Sequence, residues 1–185
     1  MDPQTASRTA LATSLMRALH TRTDPHRILD DPWGDRLVPP QARALVYQMI
    51  RNRAPELPAT PDAATQQRAI DAALRANVAY PNVLLRSRFT EDALSRAVAR
   101  GVRQYVMVGA GLDSYALRRG PEAAEVTVIE IDHPATQAFK RSCMAASGTV
   151  APEPVHYIAA DLSTEDLAAV LRASPLKTDE PAFFA

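Results

Sequence analysis

The residues of this chain most able to do chemistry sit where apolar runs end. Gly109-Ala110-Gly111-Leu112-Asp113-Ser114 follows the run QYVMV directly. Glycines at such a place let the backbone turn tightly and approach a bound molecule. Asp132 closes a second run, EVTVIEID, 21 residues beyond Gly111. A carboxylate there can accept hydrogen bonds from both hydroxyls of an adenosine ribose. Glu130, two residues earlier, shares the same face of a strand, and is the alternative ribose ligand or a carboxylate satisfied near the strand end. Asp161 and Leu162 end a third run, VHYIAAD. The acid can accept from the exocyclic amine of adenine while the leucine packs on the ring, although Asp161 could equally belong to the turn before the next helix. Ser114 stands where a dinucleotide fingerprint has its third glycine, which disfavours a nicotinamide cofactor.

No metal site is expected, because His20, His26, His133 and His156 are dispersed and Cys143 has no second sulfur near it in sequence. His133 beside Asp132 reads as a helix cap or surface imidazole rather than a base. No residue earns a catalytic assignment. Trp33 and Tyr47 read as packing anchors.

Twenty-one basic and 21 acidic side chains cancel, so nothing in the net charge attracts nucleic acid or an anionic membrane. With 46% hydrophobic residues in 185, the chain can bury a core, and a small-molecule partner is expected. A single cysteine, which forms no internal disulfide, and the lack of a membrane-length apolar run point to a cytoplasmic protein. Residues 3–23, with Arg8, Arg17 and Arg22 and no acid, admit a transit-peptide reading. Leu11, Leu15 and Leu19 at helical spacing favour an amphipathic helix packed on the domain instead.

Two kinds of element must position these residues. Residues 1–100 read as a helical cover broken at DPWGDRLVPP and APELPATP. A helix is predicted from about Gln41 to Arg53. Another carries Ile70, Leu74 and Val78 until Pro81 intervenes, and a third is capped at Thr90, buries Leu94 and Val98, and ends at Gly101. Residues 101–185 read as the first part of an α/β core, with parallel strands at 104–110, 125–132 and 155–161 alternating with helices. Pro134 fits a first helical turn, Ser163 with Asp166 forms a capping pattern, and Leu167, Val170 and Leu171 form the following buried face. PAFFA, residues 181–185, begins a fourth strand beside the first.

MVGAGLDSYALR, VIEIDHPATQAFK and AADL, together with DPWGDRLV and LLRSRFTEDAL upstream, resemble the leucine carboxyl methyltransferase family, and its bacterial branch of S-adenosylmethionine-dependent methyltransferases in particular. The resemblance covers most of residues 10–185. It implies a class I, Rossmann-like seven-stranded sheet with an N-terminal helical cover, and methyl transfer from S-adenosylmethionine to a carboxylate or hydroxyl oxygen of a small molecule or peptide. On it, Gly109 and Gly111 face the methionine part of the cofactor, Asp132 the ribose, and Asp161 with Leu162 the adenine. It also implies an arginine for the cofactor carboxylate, a pairing suited to a guanidinium fork. Arg86 matches that position best, with Arg88 second. Tyr115 departs from the branch, in which an arginine usually follows the serine.

A seven-stranded sheet needs more than the four strands visible, so the chain is expected to be the front part of a longer enzyme or to be completed by a partner or by self-association. Residues 1–185 alone are expected neither to methylate nor to fold as a stable monomer, because the first strand would lack cover on one side. The competing readings are an NAD(P)-binding oxidoreductase and a non-catalytic methyltransferase-like fragment.

Overall fold

The computed structural model describes residues 7–185. The first residues of the basic N-terminal stretch, and of the helical cover, lie outside the described residues. The cover starts with α1, Arg8–Thr23, whose N-terminus is capped by the Ser7 side chain accepting from the Ala10 amide. Leu11, Leu15 and Leu19 are buried as their spacing requires, and α1 packs against α2 (Trp33–Arg36), α3 (Pro40–Arg51), α4 (Ala63–Arg75) and α5 (Tyr80–Ala99).

Two helix boundaries correct the sequence reading. Helix α4, capped by Asp62, ends at Arg75, so Ile70 and Leu74 are buried whereas Val78 lies beyond it, 94% exposed. Pro81 does not break a helix but opens one: it occupies the first turn of α5, where its missing N–H has no intrahelical acceptor to lose. The single 20-residue helix runs straight through Thr90, which caps nothing. Its end is as expected, since Gly101 takes φ +96° and donates to the Val98 carbonyl at 2.9 Å.

The sheet contains β1 (Gln104–Val108), β2 (Thr127–Asp132), β3 (Val155–Ala159) and β4 (Ala182–Phe184), all parallel, in the order β3-β2-β1-β4. The order reverses beside β1, which puts a crevice at the tips of β1 and β2. Residues 182–184 pair with β1 as the fourth strand expected beside it: Tyr105 pairs with Phe183, and the Val108 amide donates to the Ala185 carbonyl at 2.8 Å, so β1 has a strand on each side rather than a bare edge. Side chains alternate between two apolar layers. Tyr105, Met107 and Val128 face the cover, whereas Val106, Ile129 and Ile131 face α8 (Leu167–Ala173) through Val170.

Between the strands run α6 (Tyr115–Arg118), a 3-10 turn at Pro121–Ala123, and α7 (Pro134–Ala146). Pro134 takes the first turn of α7, and the His133 ring caps it by accepting from the Ala135 amide at 3.2 Å. Asp166, not Ser163, caps α8; the Ser163 hydroxyl turns back to Asp161 at 2.6 Å, because the intervening residues form a turn rather than helix.

Candidate cofactor site

The apolar strand β1 ends in a turn that only glycine fits well. Gly109 takes φ +80° and Gly111 φ +57°, both in the left-handed region. A Cβ on Gly111 would also lie 3.2 Å from the Ala10 Cβ of α1, so this turn and the helical cover meet at glycine distance. A Cβ on Gly109 would meet nothing, because that side opens on a cavity. The amides of Gly109 and Ala110 donate to the Ile131 carbonyl at 2.8 and 3.1 Å, strapping the turn to the tip of β2.

Asp132 stands at that tip. One carboxylate oxygen accepts from the Gly111 amide and the other from the His133 amide at 2.6 Å. An ionised carboxylate has about four acceptor positions, so two remain for hydroxyl donors from a ligand. Glu130 shares its strand face but is 1% exposed and paired with Lys140 in the core. Lys140 takes one of its oxygens, and the other is buried without a hydrogen-bond partner among the described residues.

The cavity beside the turn has a volume of about 420 Å³, within the range of about 300–1,000 Å³ typical of small-molecule sites. Its walls come from α1 (Ala10, Thr13, Arg17), α5 (Val83, Arg86, Glu91), the tip of β1 and Asp132. Arg86 is exposed at this wall and has no ion-pair partner among the described residues. Arg88 points elsewhere: it is bound to Asp92 one turn along α5, at 2.6 Å, and lines a neighbouring cavity of about 500 Å³. Glu91 and Tyr115 line both cavities.

Asp161 and Leu162 do not line the first cavity. They lie at the end of β3, on the same edge of the sheet as Asp132, whose carbonyl accepts from the Ala160 amide at 2.9 Å. Asp161 is 3.8 Å from the His133 ring, and the Ser163 hydroxyl and amide hold its carboxyl below the usual range.

Sequence reasoning missed Arg17, Tyr105, Glu91 and Arg118. Arg17 is a buried cavity residue that donates to Asp31 and to the Leu112 carbonyl, both at 2.7 Å. Its only sequence signal is a charge inside the apolar run SLMRAL. Tyr105 and Tyr115 meet edge to face at 5.2 Å between ring centroids. Burial pushes both phenols up, Tyr115 to about 12 with Glu91 adding to the effect, so neither is ionised near neutral pH. Glu91 is bound by both terminal nitrogens of Arg118. Among the described residues no three His, Cys, Asp or Glu cluster to hold a metal, and no helix is long and apolar enough to cross a membrane.

A parallel sheet that reverses at β1, a glycine turn on β1 and an acid at the tip of β2 define a Rossmann-like α/β protein with a nucleotide-type crevice. The family model for leucine carboxyl methyltransferase matches residues 10–185, and the chain belongs to that family. It is 33% identical over 166 residues, 89% of this chain, to a protein of Saccharopolyspora erythraea. It is 36% identical over 174 residues, 94% of this chain, to one of Parafrankia sp.. Each of these relatives is named "Putative S-adenosyl-L-methionine-dependent methyltransferase". The aligned regions make up 50% of each relative, so the chain spans about half the length of the curated relatives it matches.

Proposed function

We propose that the protein binds S-adenosylmethionine at the tips of β1 and β2 and serves an O-methyltransferase acting on a carboxylate or hydroxyl of a small molecule or peptide. The observation that carries this reading is Asp132: it braces the Gly111 amide, keeps acceptor capacity for ribose hydroxyls, and borders the cavity. Family membership and the names of the relatives support the same cofactor. In this reading residues 1–100 form the helical cover and 101–185 the cofactor-binding core of one domain.

The residues present suit that cofactor. Gly109 leaves open space where a side chain would project, Asp132 takes the ribose, and Arg86 presents a guanidinium to the carboxylate of the methionine part. Asp161 and Leu162 supply the adenine end from β3. Bound there, S-adenosylmethionine supplies a methyl group made electrophilic by a sulfonium. The chain's own part is to align donor and acceptor and to exclude water. A carboxylate acceptor is already ionised at pH 7 and needs no base. A hydroxyl acceptor needs one; of the groups that line this cavity the tyrosines are protonated and Glu91 is held by Arg118, while Asp113 and Asp132 are the other carboxylates.

Calorimetric titration with S-adenosylmethionine, S-adenosylhomocysteine and NAD tests the reading. Both sulfur ligands are expected to bind and NAD not to. Binding of NAD alone would overturn it in favour of a nicotinamide enzyme.

A further inference from the structure

The DPW turn that precedes α2 does not line the cavity, yet Asp31 within it is the most enclosed carboxylate of the helical cover among the described residues, 0% exposed. Its Oδ2 accepts from Arg17 Nε at 2.7 Å, and its Oδ1 accepts from the Trp33 and Gly34 amides at 3.1 Å each. Arg118 Nε lies 3.9 Å from the same Oδ1. Each arginine also holds the cofactor turn. Arg17 Nη2 donates to the Leu112 carbonyl at 2.7 Å, and Arg118 Nε donates to Ser114 Oγ at 2.9 Å. Leu112 and Ser114 flank Asp113, which lines the cavity, whereas Asp31 and Ser114 do not.

We infer that Asp31 is a positioning residue for cofactor binding: through Arg17 it holds the Leu112 carbonyl and through Arg118 the Ser114 side chain, on either side of Asp113. The inference rests on the function proposed above. A turn held in left-handed conformations at Gly109 and Gly111 would otherwise have to be ordered by the ligand, at the expense of affinity. Without the carboxylate, Arg17 would lose its counter-charge, and Arg118 would keep Glu91 but lose the negative charge that draws its Nε side toward the turn.

Titration of the wild-type chain, Asp31→Asn and Ser114→Ala with S-adenosylhomocysteine tests this, because Kd and stoichiometry separate the two roles. A purely structural defect leaves fewer competent molecules of unchanged Kd. A positioning defect raises Kd at unchanged stoichiometry. The Kd is expected to rise about 10-fold in Asp31→Asn and about 3-fold in Ser114→Ala, the hydroxyl being only one of several ties on the turn. An unchanged Kd in both variants, or a loss of stoichiometry alone, would overturn the inference and leave the proposed function standing. Should Asp31→Asn fail to fold, Ser114→Ala decides by itself. A wild-type chain that binds no sulfur ligand would overturn the proposed function and this inference with it.

Discussion

Lys140 on α7 reaches Glu130 on β2 inside the core, with Nζ 2.5 Å from Oε2 and both side chains almost completely buried. The second oxygen of Glu130 has no hydrogen-bond partner among the described residues, and burial pushes its pKa up against the pull of Lys140. Lys140→Met, which leaves a buried carboxylate alone, is expected to lower stability by about 3 kcal/mol. Adding Glu130→Leu should recover most of the loss, since a matched apolar pair needs no desolvated charge. Urea unfolding of the three proteins checks this; a single variant as stable as wild type would show that the pair contributes nothing.

Asp132 should behave in the opposite way, affecting the ligand more than the fold. Asp132→Ala is expected to weaken S-adenosylhomocysteine binding about 10-fold or more, at about 1 kcal/mol or more for each ribose hydrogen bond lost. Glu130→Ala should weaken it less. Titration of the two purified variants gives the order, and the reverse order would make Glu130 the ribose ligand.

Arg86 and Arg88 differ only in what they face. Arg86 lines the cavity, whereas Arg88 is committed to Asp92. Arg86→Ala is expected to cost about 10-fold in affinity for S-adenosylhomocysteine, from loss of a charge-assisted pair, and Arg88→Ala almost nothing. Because Arg86 is exposed, its contribution should shrink as salt is added. Equal losses in the two variants would remove Arg86 from the site.

Asp31 predicts a pH dependence. Burial raises its pKa, but Arg17 and Arg118 outweigh burial, so the folded-state value lies below the ordinary one. A lowered carboxylate pKa stabilises the fold above the unfolded value of about 3.9, and that stability is lost as pH falls through the folded value. The stability gap between wild type and Asp31→Asn should therefore be full at neutral pH and close progressively below about pH 4. Urea midpoints measured across the acid range would show it, and a gap independent of pH would mean that the charge of Asp31 is not what stabilises.

Much of the scaffold was legible because it is written locally. The apolar runs of β1, β2 and β3, the turn at Gly109–Gly111 and the stop at Gly101 each follow from a few adjacent residues. Pro81 misled for a local reason too, since proline both ends helices and opens them, and only the packing of Val83 and Leu84 in the core decides between the two. The cavity walls were not legible. Arg118 meets Glu91 across 27 residues and Arg17 meets Leu112 across 95, and such partners are named by the tertiary fold rather than by spacing.

The contact between Arg17 and Leu112 also bears on how the molecule is made. Closing so long a loop carries a large entropic penalty, so contacts of this kind tend to form late and only once other parts hold the ends together. A sheet that has paired β1 with β2 already has its glycine turn and Asp132, but not the wall that α1 contributes. With that wall formed after the rate-limiting step of folding, a ligand of this cavity would act only on the finished fold. It should prolong the life of the native state by slowing unfolding, while the rate of folding stays the same.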